Sequence, residues 1–210
     1  MEFGVDEAGK GPVLGSMFAA AGRAPRTALP EGIDDSKRLS EARRESLAER
    51  LRNDDRIAVG VAEIPPRRID RGNMNELTVA AHAEALSAVV EDGDGGFCDA
   101  GDVDADRFAR RVRERIDADA TVEAVHGADG TDRLVGAASI LAKSAREAHV
   151  AALAAEYGDV GSGYPSDPAT RRFLREYVDD RGALPACARR SWSTCADVLA
   201  AAEQSALEEF

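Results

Sequence analysis

Two acidic residues stand side by side near the start of the sequence, directly after a short apolar stretch. Asp6 and Glu7 follow the apolar residues 3–5, and a turn-forming segment with the sequence GKGP occupies residues 9–12. Adjacent carboxylates at a strand end repel each other, and a bound divalent metal commonly offsets that cost. Glycines let backbone N–H groups approach a ligand closely. A metal beside such donors is suited to chemistry on phosphate groups.

Two further acids occupy comparable positions later in the chain. Asp99 ends the apolar segment 96–98, and Asp129 follows the segment 122–126. If these strands are neighbours in one sheet, the four acids converge at one edge as an all-oxygen site for Mg²⁺ or Mn²⁺. Two such ions are a standard device for phosphodiester hydrolysis. Because the sequence holds 39 acidic residues, spacing alone also allows each acid to be an ordinary solvated side chain.

The elements that must position these acids can be read from hydrophobic patterning. We predict strands over residues 2–6, 17–23, 56–64, 96–100 and 121–126. We predict helices over residues 41–52, 67–90, 105–116, 134–157, 168–180 and 192–207. Strands dominate early and helices late, so we expect an α/β fold with a central mixed β-sheet flanked by helices. We expect a catalytic core at residues 1–157 and a helical C-terminal extension at 158–210, packed on the core as one catalytic unit.

The charge of the chain bears on its partners. Its net charge of −12 argues at first against nucleic acid, which is itself polyanionic. Only three of the 27 basic residues are lysines, and the rest are arginines. Excess acid with scarce lysine is typical of adaptation to high salt. The other interpretation is a coding bias that replaces lysine with arginine.

Other simple features exclude several classes of protein. The three cysteines lack CxxC spacing, which favours free thiols over disulfides or a zinc site. Asp6 and Glu7 interrupt the early apolar run, so we expect no signal peptide, and no run is long enough for a membrane span. We therefore expect a cytoplasmic protein, and we expect a monomer because the small domain shows no heptad pattern. His82 and His149 fall inside predicted helices and are interpreted as structural.

Residues 4–11 also resemble a phosphate-binding P-loop, because they fit the first seven positions of the pattern GxxxxGK[ST]. The eighth position is Gly11 rather than the serine or threonine that binds Mg²⁺. Two carboxylates inside the loop would repel the phosphates that a P-loop binds. We therefore disfavour nucleotide binding.

Taken in order, the motifs of this chain resemble those of the ribonuclease HII family, the type 2 ribonucleases H. The segment DEAGKGPV at residues 6–13 is similar to the family signature DEAGRGP. Further similar segments are DSKRL at 35–39, AASILAK at 137–143, GSGYPSDP at 161–168 and RRSW at 189–192. Asp99 and Asp129 occupy the places of the third and fourth acids of the family. The resemblance covers nearly the whole chain.

This resemblance implies a ribonuclease H-like fold and an endonuclease that hydrolyses the RNA strand of RNA–DNA hybrids. It also implies cleavage 5′ to ribonucleotides embedded in duplex DNA, leaving 3′-hydroxyl and 5′-phosphate ends. By the same resemblance, Asp6, Glu7, Asp99 and Asp129 are the catalytic, metal-binding acids.

The resemblance also implies which residues read the substrate. Gly9, Lys10 and Gly11 match a turn that contacts the 2′-hydroxyl and the phosphates at the RNA–DNA junction, and Tyr164 matches a tyrosine that stacks near that junction. The 2′-hydroxyl is the group that distinguishes RNA from DNA, so a selective enzyme must contact it. Lys10 departs from the usual arginine and lacks its planar fork, which predicts looser junction recognition.

Four other residues are candidates for phosphate contacts. Ser36 and Lys37 either bind substrate phosphates or form an exposed helix start. Ser139 and Lys143 lie one turn apart on one helix face. Lys143 either reaches a phosphate or an active-site acid, or belongs to a structural ion pair.

Two other functions are compatible with this fold. One is a non-catalytic nucleic-acid-binding protein, which gains nothing from four acids facing phosphates. The other is a DNA nuclease or resolvase, which the turn and Tyr164 make the weaker alternative.

Overall fold

Five strands form a single sheet in the computed structural model, which describes residues 1–33 and 39–208, with side chains to residue 204. The strands are β1 (Glu2–Ala8), β2 (Met17–Ala24), β3 (Ala58–Ile64), β4 (Gly95–Asp99) and β5 (Thr121–Val125). Their order across the sheet is β3-β2-β1-β4-β5. Strand β1 pairs antiparallel with β2 and parallel with β4, which pairs parallel with β5. The predicted mixed sheet is confirmed.

Helices occupy most of the remaining described chain. They are α1 (Glu41–Asn53), α2 (Pro66–Ile69), α3 (Met74–Ser87), α4 (Ala105–Arg113), α5 (Arg133–Tyr157), α6 (Pro168–Arg181) and α7 (Ser193–Glu208). Ser40 caps α1 by accepting a hydrogen bond from the Arg43 N–H, and Asp104 caps α4 in the same way through Arg107. None of the described helices combines the length and the apolar composition needed to cross a membrane.

The single helix predicted over residues 67–90 is wrong, because two helices, α2 and α3, occupy this region. Asn73 separates them. Its side-chain oxygen accepts hydrogen bonds from the N–H groups of Asn75 at 2.9 Å and Glu76 at 3.4 Å, which starts a new helix at Met74.

Helices cover both faces of the sheet. Successive residues of a strand point to opposite faces. Ala8 of β1 joins Leu47 of α1 and Ile140 of α5 in one buried apolar cluster, so these helices cover the face to which Ala8 points. Helix α3 contacts β1 and β2, and its His82 bonds to Glu7, the neighbour of Ala8, on the opposite face.

The contacts divide the chain into two compact units. The first comprises Met1–Ala8, Met17–Glu63 and Asn73–Arg146, and it contains most of the sheet. The second comprises Gly9–Ser16, Ile64–Gly72 and Glu147–Phe210, and its core packs Leu14, Phe173, Leu174 and Val198 together. The division expected at residue 157 stays a prediction.

Glycine at position 4 allows α5 to lie close against β1. A Cβ atom at Gly4 would stand 2.2 Å from the backbone carbonyl carbon of Leu134. Gly22, its partner in β2, has nothing within 4 Å of such an atom. We therefore expect Gly4→Ala to lower the free energy of unfolding by about 3 kcal/mol, because helix and strand must separate. A thermal melt should show a fall in Tm of ~6 °C or more.

Gly22→Ala is the matched control for Gly4→Ala. The substitution is the same and lies on the paired strand, but it meets no atom, so we expect the Tm to stay unchanged or rise slightly. Equal melting temperatures for the two variants would contradict the close approach of α5 to β1.

Candidate active site

Asp6 and Glu7 lie inside β1, because the strand continues to Ala8 rather than ending at residue 6. As consecutive strand residues they point to opposite faces of the sheet. Asp6 faces α5, where the hydroxyl of Ser139 lies beside it, and only 5% of Asp6 is exposed. Glu7 faces α3, where its carboxylate bonds to His82. The pair therefore presents carboxylates on both sides of one strand.

Asp99 and Asp129 reach the same region from the neighbouring strands. Asp99 is the last residue of β4, which lies directly beside β1. Asp129 lies in the short 3₁₀ turn Ala128–Gly130, which follows β5. Asp99 accepts a hydrogen bond from the N–H of Ala128 at 2.8 Å, which ties the end of β4 to this turn. The parallel arrangement of β1, β4 and β5 thus brings the acids to one end of the sheet.

The charges of these carboxylates act on one another. Burial, together with the charges of Glu7 and Asp99, raises the pKa of Asp6 to about 8, and the nearby Ser139 hydroxyl opposes the shift. The Ser139 hydroxyl does not have the geometry of a normal hydrogen bond to any described group. Burial also raises the pKa of Asp99, the Ala128 N–H opposes this, and the charges of Glu7 and Asp129 add to it. Asp99 thus interacts with all three other acids.

This donor set fits a divalent metal. Within residues 1–33 and 39–208, no three His, Cys, Asp or Glu side chains are already arranged as metal ligands. The fit lies in the chemistry of the groups: they are all carboxylate oxygens, the donors preferred by hard cations such as Mg²⁺. Their burial and mutual repulsion are the conditions that a cation would relieve.

His82 contacts the candidate site through Glu7, and the sequence did not show this contact. Its Nε2 lies 2.6 Å from the Oε2 of Glu7, and its ring packs edge-on against Phe108 with the ring centres 5.0 Å apart. The residue is completely buried. We interpreted it from sequence as structural. One signal in the sequence could have indicated the contact: a polar ring at a buried position of an alanine-rich helix, because a buried polar ring requires a hydrogen-bond partner.

The glycine turn after β1 belongs to the second compact unit, as does Tyr164. Gly9 has φ +90°, a conformation that favours glycine. A Cβ atom at Gly11 would stand 3.5 Å from the ring of Tyr164, so the two residues are neighbours. The N–H of Val13 donates to the carbonyl of Gly163 at 2.8 Å, which joins the turn to the segment of Tyr164. Tyr164 is 40% exposed, so a ligand can reach it.

Two of the four residues predicted to contact phosphates lie on α5, and the other two are not described by the structure. Ser139 is fully buried beside Asp6, and Lys143 is half-buried one turn later on α5. Ser36 and Lys37 lie outside the described residues.

The three cysteines, Cys98, Cys187 and Cys195, are buried free thiols, as predicted. Burial raises the pKa of the Cys98 thiol, and the charges of Glu7 and Asp6 add to the shift. In the metal-free protein this shift disfavours the thiolate form of Cys98.

The mixed five-stranded sheet with helices on both faces has the architecture of the ribonuclease H-like class, and the four acids lie near one end of β1, β4 and β5. A model of the family described as "Ribonuclease HII" matches residues 3–195. The chain belongs to the ribonuclease HII family, and it is a ribonuclease H that acts on RNA–DNA hybrids.

Individual relatives agree with this assignment. The ribonuclease HII of Haloarcula marismortui is 66% identical over 212 residues, covering 100% of both chains. That of Natronomonas pharaonis is 63% identical over 207 residues, covering 99% of this chain and 98% of the relative. The crystal structure of ribonuclease H2 from Pyrococcus horikoshii superposes with a TM-score of 0.89 at 35% identity, covering 97% of this chain and 99% of the other. The first two organisms are halophilic archaea, which supports adaptation to salt as the reason for the acid excess.

Proposed function

We propose that Asp6, Glu7, Asp99 and Asp129 form the catalytic centre that hydrolyses the RNA strand of RNA–DNA hybrids. The observation that carries this proposal is the placement of Asp99: it ends β4 directly beside β1, and it accepts a hydrogen bond from the Ala128 N–H in the turn that holds Asp129. A protein that only bound nucleic acid would gain nothing from grouped, partly buried acids that repel phosphates. The likeness to the ribonuclease HII family supports the same roles.

The acids would hold divalent cations, Mg²⁺ or Mn²⁺. When bound, two such ions would activate the attacking water and stabilise the leaving oxygen, giving 3′-hydroxyl and 5′-phosphate ends. The chain supplies the orientation of the ligands. His82 holds the carboxylate of Glu7, the Ala128 N–H holds that of Asp99, and the Ser139 hydroxyl favours the charged form of Asp6.

We further propose that Gly9, Lys10 and Gly11 contact the 2′-hydroxyl and phosphates at an RNA–DNA junction, with Tyr164 beside them. The closeness of Gly11 to the exposed Tyr164 ring supports this role. An aromatic face against the adjacent deoxyribose would disfavour an extra hydroxyl there, which gives selectivity by exclusion. The enzyme would then also cleave DNA that contains embedded ribonucleotides.

Further phosphate contacts are proposed for Lys143 and Ser139 on α5, and for Ser36 and Lys37. We also propose that the protein acts in the cytoplasm. We propose that it is a monomer, since its sequence contains no heptad pattern that would favour a helical oligomer.

Cleavage of labelled substrates tests the proposal. We expect Mg²⁺- or Mn²⁺-dependent cleavage of a full RNA–DNA hybrid, and cleavage of a DNA duplex holding one ribonucleotide on the 5′ side of that ribonucleotide. Chelation with EDTA should abolish both reactions. Sequencing gels run beside authentic markers identify the ends. Cleavage of the all-DNA duplex at the same rate would favour the DNA nuclease, and equal rates on the two ribonucleotide substrates would remove the junction-specific role.

A further inference from the structure

The guanidinium of Arg189 is fully buried within the second compact unit, where it binds backbone carbonyls. Its Nη2 donates to the carbonyl of Gly9 at 2.6 Å, and its Nη1 donates to that of Lys10 at 2.8 Å. Its Nε donates to the carbonyl of Gly15 at 2.9 Å. Burying a cation is costly unless such charge-assisted hydrogen bonds accompany it. Two of the three acceptors belong to the glycine turn.

Trp192 holds the next carbonyl of the same turn. Its indole Nε1 donates to the carbonyl of Gly11 at 3.3 Å. The guanidinium carbon of Arg189 lies 5.1 Å from the centre of the Trp192 ring, a distance at which cation and ring attract each other. Consecutive carbonyls at residues 9, 10 and 11 are therefore held by two side chains of the RRSW segment.

The planar peptide bond fixes where the N–H groups of the turn point once its carbonyls are bound. In a trans peptide the carbonyl points away from the N–H of the following residue, and the described chain contains no cis peptide bond. Arg189 binds the carbonyls of Gly9 and Lys10, so the N–H groups of Lys10 and Gly11 must point away from the guanidinium. Successive N–H groups that point the same way form a concave site for anionic or hydroxyl oxygen.

We propose that Arg189 is the positioning residue for ribonucleotide recognition. By holding the carbonyls of the turn on one side, it directs the N–H groups of Lys10 and Gly11 toward the nucleic acid, without touching the substrate itself. The inference rests on the proposed role of the turn. It also implies that recognition depends on the backbone of residue 10 more than on its side chain, and this argues against the looser junction recognition that the sequence predicts from Lys10.

The test compares two substrates in one enzyme preparation. Arg189→Lys keeps the charge but loses the planar fork that reaches several carbonyls at once. We expect the ratio of kcat/KM for the one-ribonucleotide duplex to that for the full hybrid to fall by about tenfold, the equivalent of one lost charge-assisted hydrogen bond. A lower fraction of folded enzyme cancels in this ratio, so a merely structural role would leave it unchanged.

Two further variants keep the test decisive. Arg190→Lys makes the same substitution at the adjacent, exposed position and should leave the ratio unchanged. Trp192→Phe keeps the ring against the guanidinium but removes the N–H that binds Gly11, and should lower the ratio in the same direction. This milder variant decides the question if Arg189→Lys does not fold.

Gly9→Ala separates failure of this inference from failure of the proposed function. Alanine is strained at φ +90°, so this change should distort the turn directly. An unchanged ratio for Arg189→Lys and Trp192→Phe, together with a lowered ratio for Gly9→Ala, would overturn the role of Arg189 alone. An unchanged ratio for all three would overturn the role of the turn as well.

Discussion

Asp6→Asn is expected to lower kcat for cleavage of an RNA–DNA hybrid by about 10³-fold or more, because the proposed function makes Asp6 a metal ligand and its loss would remove several kcal/mol of transition-state stabilisation. Asparagine has nearly the same size, so the change removes the charge of Asp6 and little of its packing. Single-turnover cleavage of a labelled hybrid, with Mg²⁺ and again with Mn²⁺, measures the effect.

Asp55→Asn provides the control for this prediction, because it removes one negative charge at an exposed position of the chain. We expect wild-type activity from it. An Asp6→Asn enzyme within about tenfold of wild-type activity would exclude Asp6 from the catalytic centre.

The same substitution has a second consequence, for stability. Burial raises the pKa of Asp6 to about 8, whereas the unfolded residue titrates near its usual value of about 4. Between these values the folded chain retains a proton that the unfolded chain releases, so stability of the metal-free protein falls as the pH rises. Asparagine cannot ionise. The Tm of Asp6→Asn should therefore match wild type near pH 4 and exceed it by several degrees at pH 8.

Asp94→Ala is expected to destabilise the fold by about 3–5 kcal/mol, because it leaves the charge of Arg23 buried without its main partner. The Nε of Arg23 donates to Asp94 at 2.6 Å, and the N–H of Glu91 donates to the same carboxylate at 2.8 Å. Only 7% of Arg23 and 3% of Asp94 are exposed. Urea unfolding at pH 7 measures the loss.

Asp54→Ala is the comparison for Asp94→Ala. Asp54 pairs with Arg56 on the surface, where solvent screens the interaction, so its removal should leave the urea midpoint nearly unchanged. Burial acts to raise the pKa of Asp94, but the contacts from Arg23, the N-terminus and the Glu91 N–H outweigh it and hold the pKa below its usual value. The contribution of Asp94 to stability is therefore present at neutral pH and is lost as the pH falls through that lowered pKa. Equal midpoints for the two variants at pH 7 would show that the buried pair contributes no more than the surface pair.

Local chemistry was sufficient to predict most elements of this fold. Strands β1, β3 and β5 follow from their β-branched and aromatic residues, and the caps at Ser40 and Asp104 follow from their side chains. The end of β1 was misplaced, because acidic residues are rare inside strands and the sequence does not show which neighbouring strand continues the pairing. The break before α3 was missed although Gly72 and Asn73 signal it, because the apolar spacing on either side runs in phase.

The sequence selects the residues of the candidate site but does not give their arrangement. Motif resemblance selected the four acids, whereas their opposite orientations on β1 follow only once strand alternation is combined with the positions of α3 and α5. His82 is 75 residues away from Glu7 in sequence, and Arg189 is 180 residues away from Gly9. No spacing rule connects positions so far apart, so contacts of this kind appear only when the chain is folded.

Trp192 is the only tryptophan in the sequence, and its indole is bonded to Gly11 and stacked on Arg189. Light at the long-wavelength edge of protein absorption, where tyrosine contributes little, therefore excites this one side chain. The fluorescence of the unmodified enzyme reports on the surroundings of the glycine turn without an added dye. Changes of its emission during titration with an oligonucleotide would follow events at this turn in real time.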